Sequence, residues 1–136
     1  MTEVEQLRKV VAELKLDNGK QNLIRVLNEI VKLLPPSDDI AITIGKKGTH
    51  EYVVDRKGLA IITTSQDEYL PFLSSSEKRI SMDQIPEDVA RKAANDINGI
   101  LAQLMDVLKT HSRRSPKYEA IASEVEAIVK GERYNS

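Results

Sequence analysis

The amino-acid sequence predicts an α+β fold in the order α-α-β-β-β-α-α, in which a three-stranded antiparallel meander packs against helices. Residues 40–64 contain three runs rich in β-forming residues, and the stretches GKKG and DRKG between them are typical of tight turns. Apolar residues at helical spacing lie on both sides of this segment. A length of 136 residues fits one domain, so we predict that residues 1–136 fold as a single unit.

The N-terminal part of the chain predicts a helical hairpin over residues 3–34. One apolar stripe runs through its first half, and a wider stripe runs through its second half, which places the second helix nearer the centre of the core. Residues 17–19 read Asp-Asn-Gly and interrupt the pattern, and two prolines at 35–36 end it. So short a break favours two antiparallel helices, with a single kinked helix as the alternative.

The meander over residues 40–64 follows from alternation and from turn chemistry. Ile40, Ile42 and Ile44 alternate with small or polar residues, as in a strand with one buried face. The segments 45–48 and 55–58 both fit a type I turn followed by a glycine with positive φ. We expect the Asp55 carboxylate to accept a hydrogen bond from the backbone just ahead of it.

The C-terminal half is predicted to be mostly helical. Residues 65–85 have no clear periodicity and are interpreted as an irregular loop, in which residues 79–82 are a candidate short edge strand. Helices are predicted over residues 86–110 and 116–130. Pro116 suits a first helical turn, and Gly131 suits a helix end.

Composition narrows the class of protein. The chain has no cysteine, which excludes disulfides and thiolate metal sites and favours an intracellular location. No apolar run approaches the about 18 residues that a membrane span needs, and the N-terminus lacks the apolar core of a secretory signal. The sequence therefore predicts a cytoplasmic protein that does not contact a membrane.

The sequence has no recognisable catalytic constellation, and we predict no catalytic residue, no cofactor and no metal site. His50 and His111 are its two histidines, and neither has a neighbour at metal-ligand spacing. Residues 44–48 read IGKKG, which resembles the I-G-x-x-G loop of the KH RNA-binding module. That loop joins two helices, whereas a strand-like run follows here, so a hairpin turn explains both glycines. Enzyme activity stays open, with the balance toward a non-enzymatic protein.

Four basic residues at the turns are candidate nucleic-acid or protein contacts: Lys46, Lys47, Arg56 and Lys57. Consecutive turns of an antiparallel meander lie at opposite ends, so one monomer cannot merge the two pairs into one patch. A net charge of −1 gives nucleic-acid binding no support. Basic turns also protect sheet edges against unwanted pairing, which is the preferred interpretation.

The segment after the meander contains a candidate binding loop with Tyr69, Leu70 and Phe72. The preferred alternative is an ordinary loop whose aromatic side chains complete the core. A small-ligand pocket lined near Tyr52 and Tyr69, between the long third helix and the meander, is a further hypothesis for a binding domain or an unrecognised enzyme.

The leading hypothesis is a non-enzymatic intracellular interaction or regulatory protein that acts as a homodimer through its helices. Its basis is the lack of catalytic motifs together with broad apolar stripes on several helices. A nucleic-acid-binding dimer that uses the basic turns is the first alternative. The helix–meander–helix order is similar to that of YbaB-like nucleoid-associated dimers, although no sequence motif accompanies this likeness.

Overall fold

A computed structural model gives the fold of the chain over residues 4–37, 40–66, 73–113 and 115–131. The predicted α+β class is confirmed, but the order is α-α-β-β-β-β-α-α-α. The elements, in chain order, are α1 Glu5–Leu16, α2 Lys20–Leu33, β1 Ile42–Lys47, β2 His50–Asp55, β3 Gly58–Gln66, β4 Leu73–Ile80, a short 3₁₀ helix Met82–Gln84, α3 Glu87–Asn95, α4 Ile97–His111 and α5 Pro116–Lys130.

The sheet has four antiparallel strands in the order β1-β2-β3-β4, so the prediction of three strands is wrong. The additional strand, β4, lies within the segment 65–85 that was predicted to be an irregular loop. Residues 74–79 read SSSEKR and are all polar, so this strand lacks the alternation of apolar and polar residues that predicts a strand. Its pairing with β3 is nevertheless regular over eight residues, from Leu59 opposite Ile80 to Gln66 opposite Leu73.

The two meander turns differ from each other. Between β2 and β3, Arg56 and Lys57 form the turn, Gly58 follows with φ of 118°, and the Asp55 carboxylate accepts a 2.8 Å hydrogen bond from the Lys57 N–H. The positive φ of Gly58 and the hydrogen bond to Asp55 are as predicted. Between β1 and β2 the loop consists of Gly48, with φ of 61°, and the next residue, because Lys47 is still paired in the strand. The predicted turn over 45–48 is therefore shifted by two residues.

The helix predicted over residues 86–110 consists of two helices, α3 and α4, which meet at Asp96. The backbone of Asp96 leaves the helical region, with φ of −105° and ψ of 30°. A Cβ on Gly99 would stand 2.6 Å from an Asp96 carboxylate oxygen, so glycine leaves the space into which that side chain folds. The apolar stripe continues across the break from Ala93 to Ile97, which is why periodicity did not reveal it.

The core is aliphatic apart from Tyr52 and is shared by the five α-helices and by one face of the sheet. Helices α2, α3 and α4 contact β1 and β2, and Leu59, Ile61 and Ile80 extend the core along β3 to the end of β4, while residues 76–79 of β4 are exposed. Gly45 of β1 lets α3 approach closely, since a Cβ there would lie 3.0 Å from a methyl group of Val89. Among the described residues no polar or charged side chain is buried, so burial of apolar area is the main stabilising term.

Candidate interaction surfaces

The first predicted basic pair lies at the end of β1. Lys46 and Lys47 are exposed, and the Lys47 ammonium is 3.2 Å from a carboxylate oxygen of Asp88 in α3. The hydrogen bond from Lys47 lowers the pKa of Asp88. Lys47 therefore joins the sheet to α3, and part of the positive charge at this turn is already neutralised.

The second predicted basic pair, Arg56 and Lys57, forms the β2–β3 turn beside a charged cluster. Arg79 of β4 donates hydrogen bonds of 2.7 and 2.5 Å to the two carboxylate oxygens of Asp55, and one of 3.0 Å to Glu77. The bonds from Arg79 lower the pKa of Asp55. Together with Ser37 these residues line a depression of about 200 Å³. Because both signs of charge are present, the depression does not attract anions alone.

The structure places the two basic pairs at opposite ends of β2. Lys47 is opposite His50 at one end, and Asp55 is opposite Gly58 at the other. Six residues of extended chain separate these points by about 17 Å. A single monomer therefore has no continuous basic patch formed by these four residues.

The two histidines have ordinary structural surroundings. His50 Nδ1 lies 2.7 Å from the Thr63 hydroxyl on the neighbouring strand, and His111 meets the Tyr118 ring edge-on with centroids 6.5 Å apart. Over the described ranges, no three or more acidic or histidine side chains are grouped so as to hold a metal ion.

The candidate loop residues Tyr69, Leu70 and Phe72 lie outside the described residues, so the loop stays a prediction. The hypothesis of a ligand pocket beside the meander depended on Tyr52 and Tyr69. Tyr52 is buried in the core cluster, and Tyr69 is also outside the described residues.

A surface that was not predicted surrounds Leu16, the last residue of α1. Leu16 is 90% exposed and is the one large apolar side chain found exposed among the described residues. The apolar stripe of α1 ends at Leu14, so Leu16 projects from a different face of the helix. A leucine two positions beyond the end of a stripe was the available signal in the sequence.

Leu16 stands between two grooves, and together we call them the Leu16 surface. The first groove, about 360 Å³, lies between α1 and the end of α5 and is lined by Arg8, Val11, Ala12, Lys15, Leu16, Ile128 and Gly131. The second, about 430 Å³, lies toward the α3–α4 junction and is lined by Leu14, Lys15, Leu16, Asn18, Ala94, Asn95, Ile97 and Asn98.

The Leu16 surface combines apolar side chains with polar ones. The buried side chains of Val11 and Ile128 line the first groove, and the exposed Lys15 stands at its edge. In the second groove the Asn18 amide donates a 3.3 Å hydrogen bond to the Asn95 side chain. An apolar centre with a polar rim is the usual anatomy of an interface.

Comparison of the chain with models of protein families, with curated proteins and with solved structures finds no match. The likeness to YbaB-like dimers therefore stays a likeness in the order of elements. Within the described part of the chain, no helix combines the length and the apolar character needed to cross a bilayer.

Proposed function

We propose that this chain is a non-enzymatic intracellular interaction protein that acts as a homodimer, with the Leu16 surface as the interface between its two copies. The observation that carries the proposal is the exposure of Leu16 beside an apolar groove. A leucine left in water next to unfilled apolar lining costs free energy that burial by a partner recovers.

A second copy suits this surface because it contains both a projection and a recess. In a two-fold dimer the same patch contributes to both sides, so a residue that fills a recess on the partner is matched by the partner's equivalent residue. Leu16 supplies the projection, and the groove with Val11, Ala12 and Ile128 supplies the recess. A partner with a flat surface would fill neither.

Burial of Leu16 on both copies supplies part of the free energy of association. Full burial of one leucine contributes about 1.5 to 3 kcal/mol, so the two copies of Leu16 contribute about 3 to 6 kcal/mol. Association itself costs at least about 4 kcal/mol. The leucine pair alone therefore leaves at most about 2 kcal/mol, well short of the about 8 kcal/mol of a micromolar dissociation constant, so the apolar lining of the first groove must be buried in the same interface.

The oligomeric state tests the proposal directly. Light scattering on the full chain at about 100 µM, above a micromolar dissociation constant, should give a mass twice the 15.2 kDa of one chain. Leu16→Gln keeps a good helix former but removes most of the apolar burial, and should raise the dimer dissociation constant at least about 100-fold. Ala12→Gln, which fills the groove instead of shortening the projection, should have a similar effect.

Lys9→Gln is the matched control, since Lys9 is exposed on the same helix and does not line either groove. Circular dichroism should show that all three variants keep their helical content. A monomeric wild-type chain would contradict the homodimer. A dimer that persists in both Leu16→Gln and Ala12→Gln would show that the interface lies elsewhere.

The nucleic-acid alternative has less support than the dimer. Lys47 is paired with Asp88, and the Arg56–Lys57 turn adjoins two carboxylates that already bind Arg79. Counterion release needs cations that are free to bind phosphate.

A further inference from the structure

The two edges of the sheet are treated differently by the rest of the molecule. At the β1 edge, the side-chain amide of Gln103 in α4 accepts a 3.0 Å hydrogen bond from the Thr43 N–H and donates one of 2.7 Å to the Thr43 carbonyl. This amide occupies both backbone groups of Thr43, which a further strand would otherwise use. A bulge between Thr43 and Gly45 also breaks the regular spacing of that edge.

The β4 edge has no such cover within the described part of the chain. β4 pairs with β3 on one side over eight residues, and no described strand lies on its other side. Residues 76–79 of this strand are exposed, while Ile80 at its end packs against the core. Alternate residues of this strand therefore present backbone N–H and C=O groups that are available to an added strand.

The charges on β4 disfavour a second copy as that strand. Antiparallel pairing of β4 with itself about a two-fold axis places one residue opposite its own copy, because paired residues share a face of the sheet. Registers centred on Glu77 or Arg79 place that residue opposite its own copy, which is destabilising. A register centred on Lys78 places two lysines opposite each other, and the Glu77–Arg79 pairs that it would form across the axis compete with the pairs that Arg79 already makes with Glu77 and Asp55. The exposed stretch offers only Ser76 as a centre without this penalty.

The same charges define the partner that is favoured. Arg79 is paired with Glu77 and with Asp55, whereas Lys78 has no ion-pair partner among the described residues. Lys78 is opposite Ile61 on β3, with Ser76 and Ile80 at the alternate positions on its face. The complement is an extended segment with a carboxylate opposite Lys78, an apolar β-branched residue opposite Ile80 and a hydroxyl residue opposite Ser76.

We infer that the β4 edge is a strand-addition site for an extended, acidic segment of another protein. In this mode the backbone bonds supply affinity, and the side chains at alternate positions supply specificity. The inference rests on the sheet edges and not on the Leu16 surface, so it stands or falls separately from the homodimer. If the homodimer and the strand-addition site both hold, the protein is a dimer with two peptide-binding sheet edges.

The test uses the ¹⁵N-labelled full chain and the synthetic peptide acetyl-Thr-Val-Thr-Asp-Thr-Ser-Thr-amide, observed by amide chemical shifts. The expected result is a set of shifts along β4 and the facing part of β3. A peptide with lysine in place of aspartate should bind at least about threefold more weakly, and Lys78→Glu should reverse that preference.

Backbone methylation separates strand addition from simple charge attraction. The aspartate peptide is made in two versions, one with N-methyl groups at its odd-numbered residues and the other with N-methyl groups at its even-numbered residues. Alternate N–H groups of an added strand face the sheet. Strand addition therefore predicts that one methylated version no longer causes the β4 shifts and that the other still causes them.

Four outcomes would overturn the inference. The first is that no β4 shifts appear at about 1 mM peptide, a concentration that detects weak association. The second and third are equal binding of the aspartate and lysine peptides and equal binding of the two methylated peptides, and the fourth is β4 shifts that depend on chain concentration without peptide. The last would show a second copy at this edge. Leu16→Gln should leave peptide binding unchanged, which keeps this result distinct from the failure of the dimer.

Discussion

Gln103 is the residue on which the closure of the β1 edge depends. Its amide forms two hydrogen bonds with Thr43, and both lie in a partly buried setting. Gln103→Leu keeps the size of the side chain but leaves an N–H and a carbonyl of β1 without partners. We expect the free energy of unfolding to fall by about 2 kcal/mol, measured by urea denaturation.

Asp106→Leu provides the comparison for Gln103. Asp106 is exposed on the same helix, and its carboxylate has no ion-pair partner among the described residues. Its replacement should change the unfolding free energy by no more than about 0.5 kcal/mol. Equal losses for the two variants would show that the Gln103 amide contributes nothing special to the β1 edge.

Asp55 makes part of the stability depend on pH. Hydrogen bonds from Arg79 hold its pKa below the ordinary value of 3.8, so the folded state favours the carboxylate. This contribution is fully present above the unfolded pKa and is lost as pH falls through the lower, folded pKa. Because Arg79 is substantially exposed, the contribution should be no more than about 1 kcal/mol.

Asp55→Asn measures this contribution. The difference in unfolding free energy between wild type and Asp55→Asn should be constant near neutral pH and should shrink below pH about 4. A difference that stays the same down to pH about 2 would mean that the Asp55–Arg79 pair is not the cause.

At the scale of elements, the two hairpin turns give a matched pair of glycines. Gly48 has φ of 61°, and Gly58 has φ of 118°. A Cβ at either position would meet no atom within 4 Å, so alanine tests backbone strain without a clash. The left-handed region near 60° costs other residues about 1 to 2 kcal/mol, whereas the region beyond it is almost restricted to glycine.

We therefore expect Gly58→Ala to be more destabilising than Gly48→Ala, by about 1 kcal/mol or more. Thermal and urea unfolding of both variants measure the difference. If the order were reversed, the β2–β3 turn would have to relax by a backbone change that removes the positive φ at residue 58.

The elements that local chemistry specifies were predictable, and those that depend on distant partners were not. Asp55 and Gly58 predict the turn in which they lie, and Pro116 and Gly131 predict the first and last turns of α5. The break at Asp96 depends on space beside Gly99, and β4 depends on pairing with β3, so neither alters the periodicity of its own segment.

At the scale of the whole molecule, the same limit applies to the Leu16 surface. Sequence periodicity identifies the stripe of α1 from Leu7 to Leu14. The groove beside Leu16 also needs Ile128, which is more than a hundred residues later in the chain. Only the packing of α5 beside α1 reveals that the exposed leucine has a recess next to it.

The uneven cover of the sheet predicts a gradient of local stability across it. Strands β1 and β2 lie under helices, and β1 is also held by Gln103. Residues 76–79 of β4 are exposed, and the strand pairs with one described strand. Regions with few buried contacts open with a smaller free energy than the core does.

Amide hydrogen exchange on the full chain should therefore be slowest for paired amides of β2 and fastest, among strand amides, for β4. Opening of β4 should leave β2 protected, because the core under β1 and β2 stays packed. Addition of the aspartate peptide should slow exchange in β4 and leave β2 unchanged, since an added strand covers only the exposed edge. If β4 exchanges as slowly as β2 without peptide, the edge is already covered, and it is not a free site for strand addition.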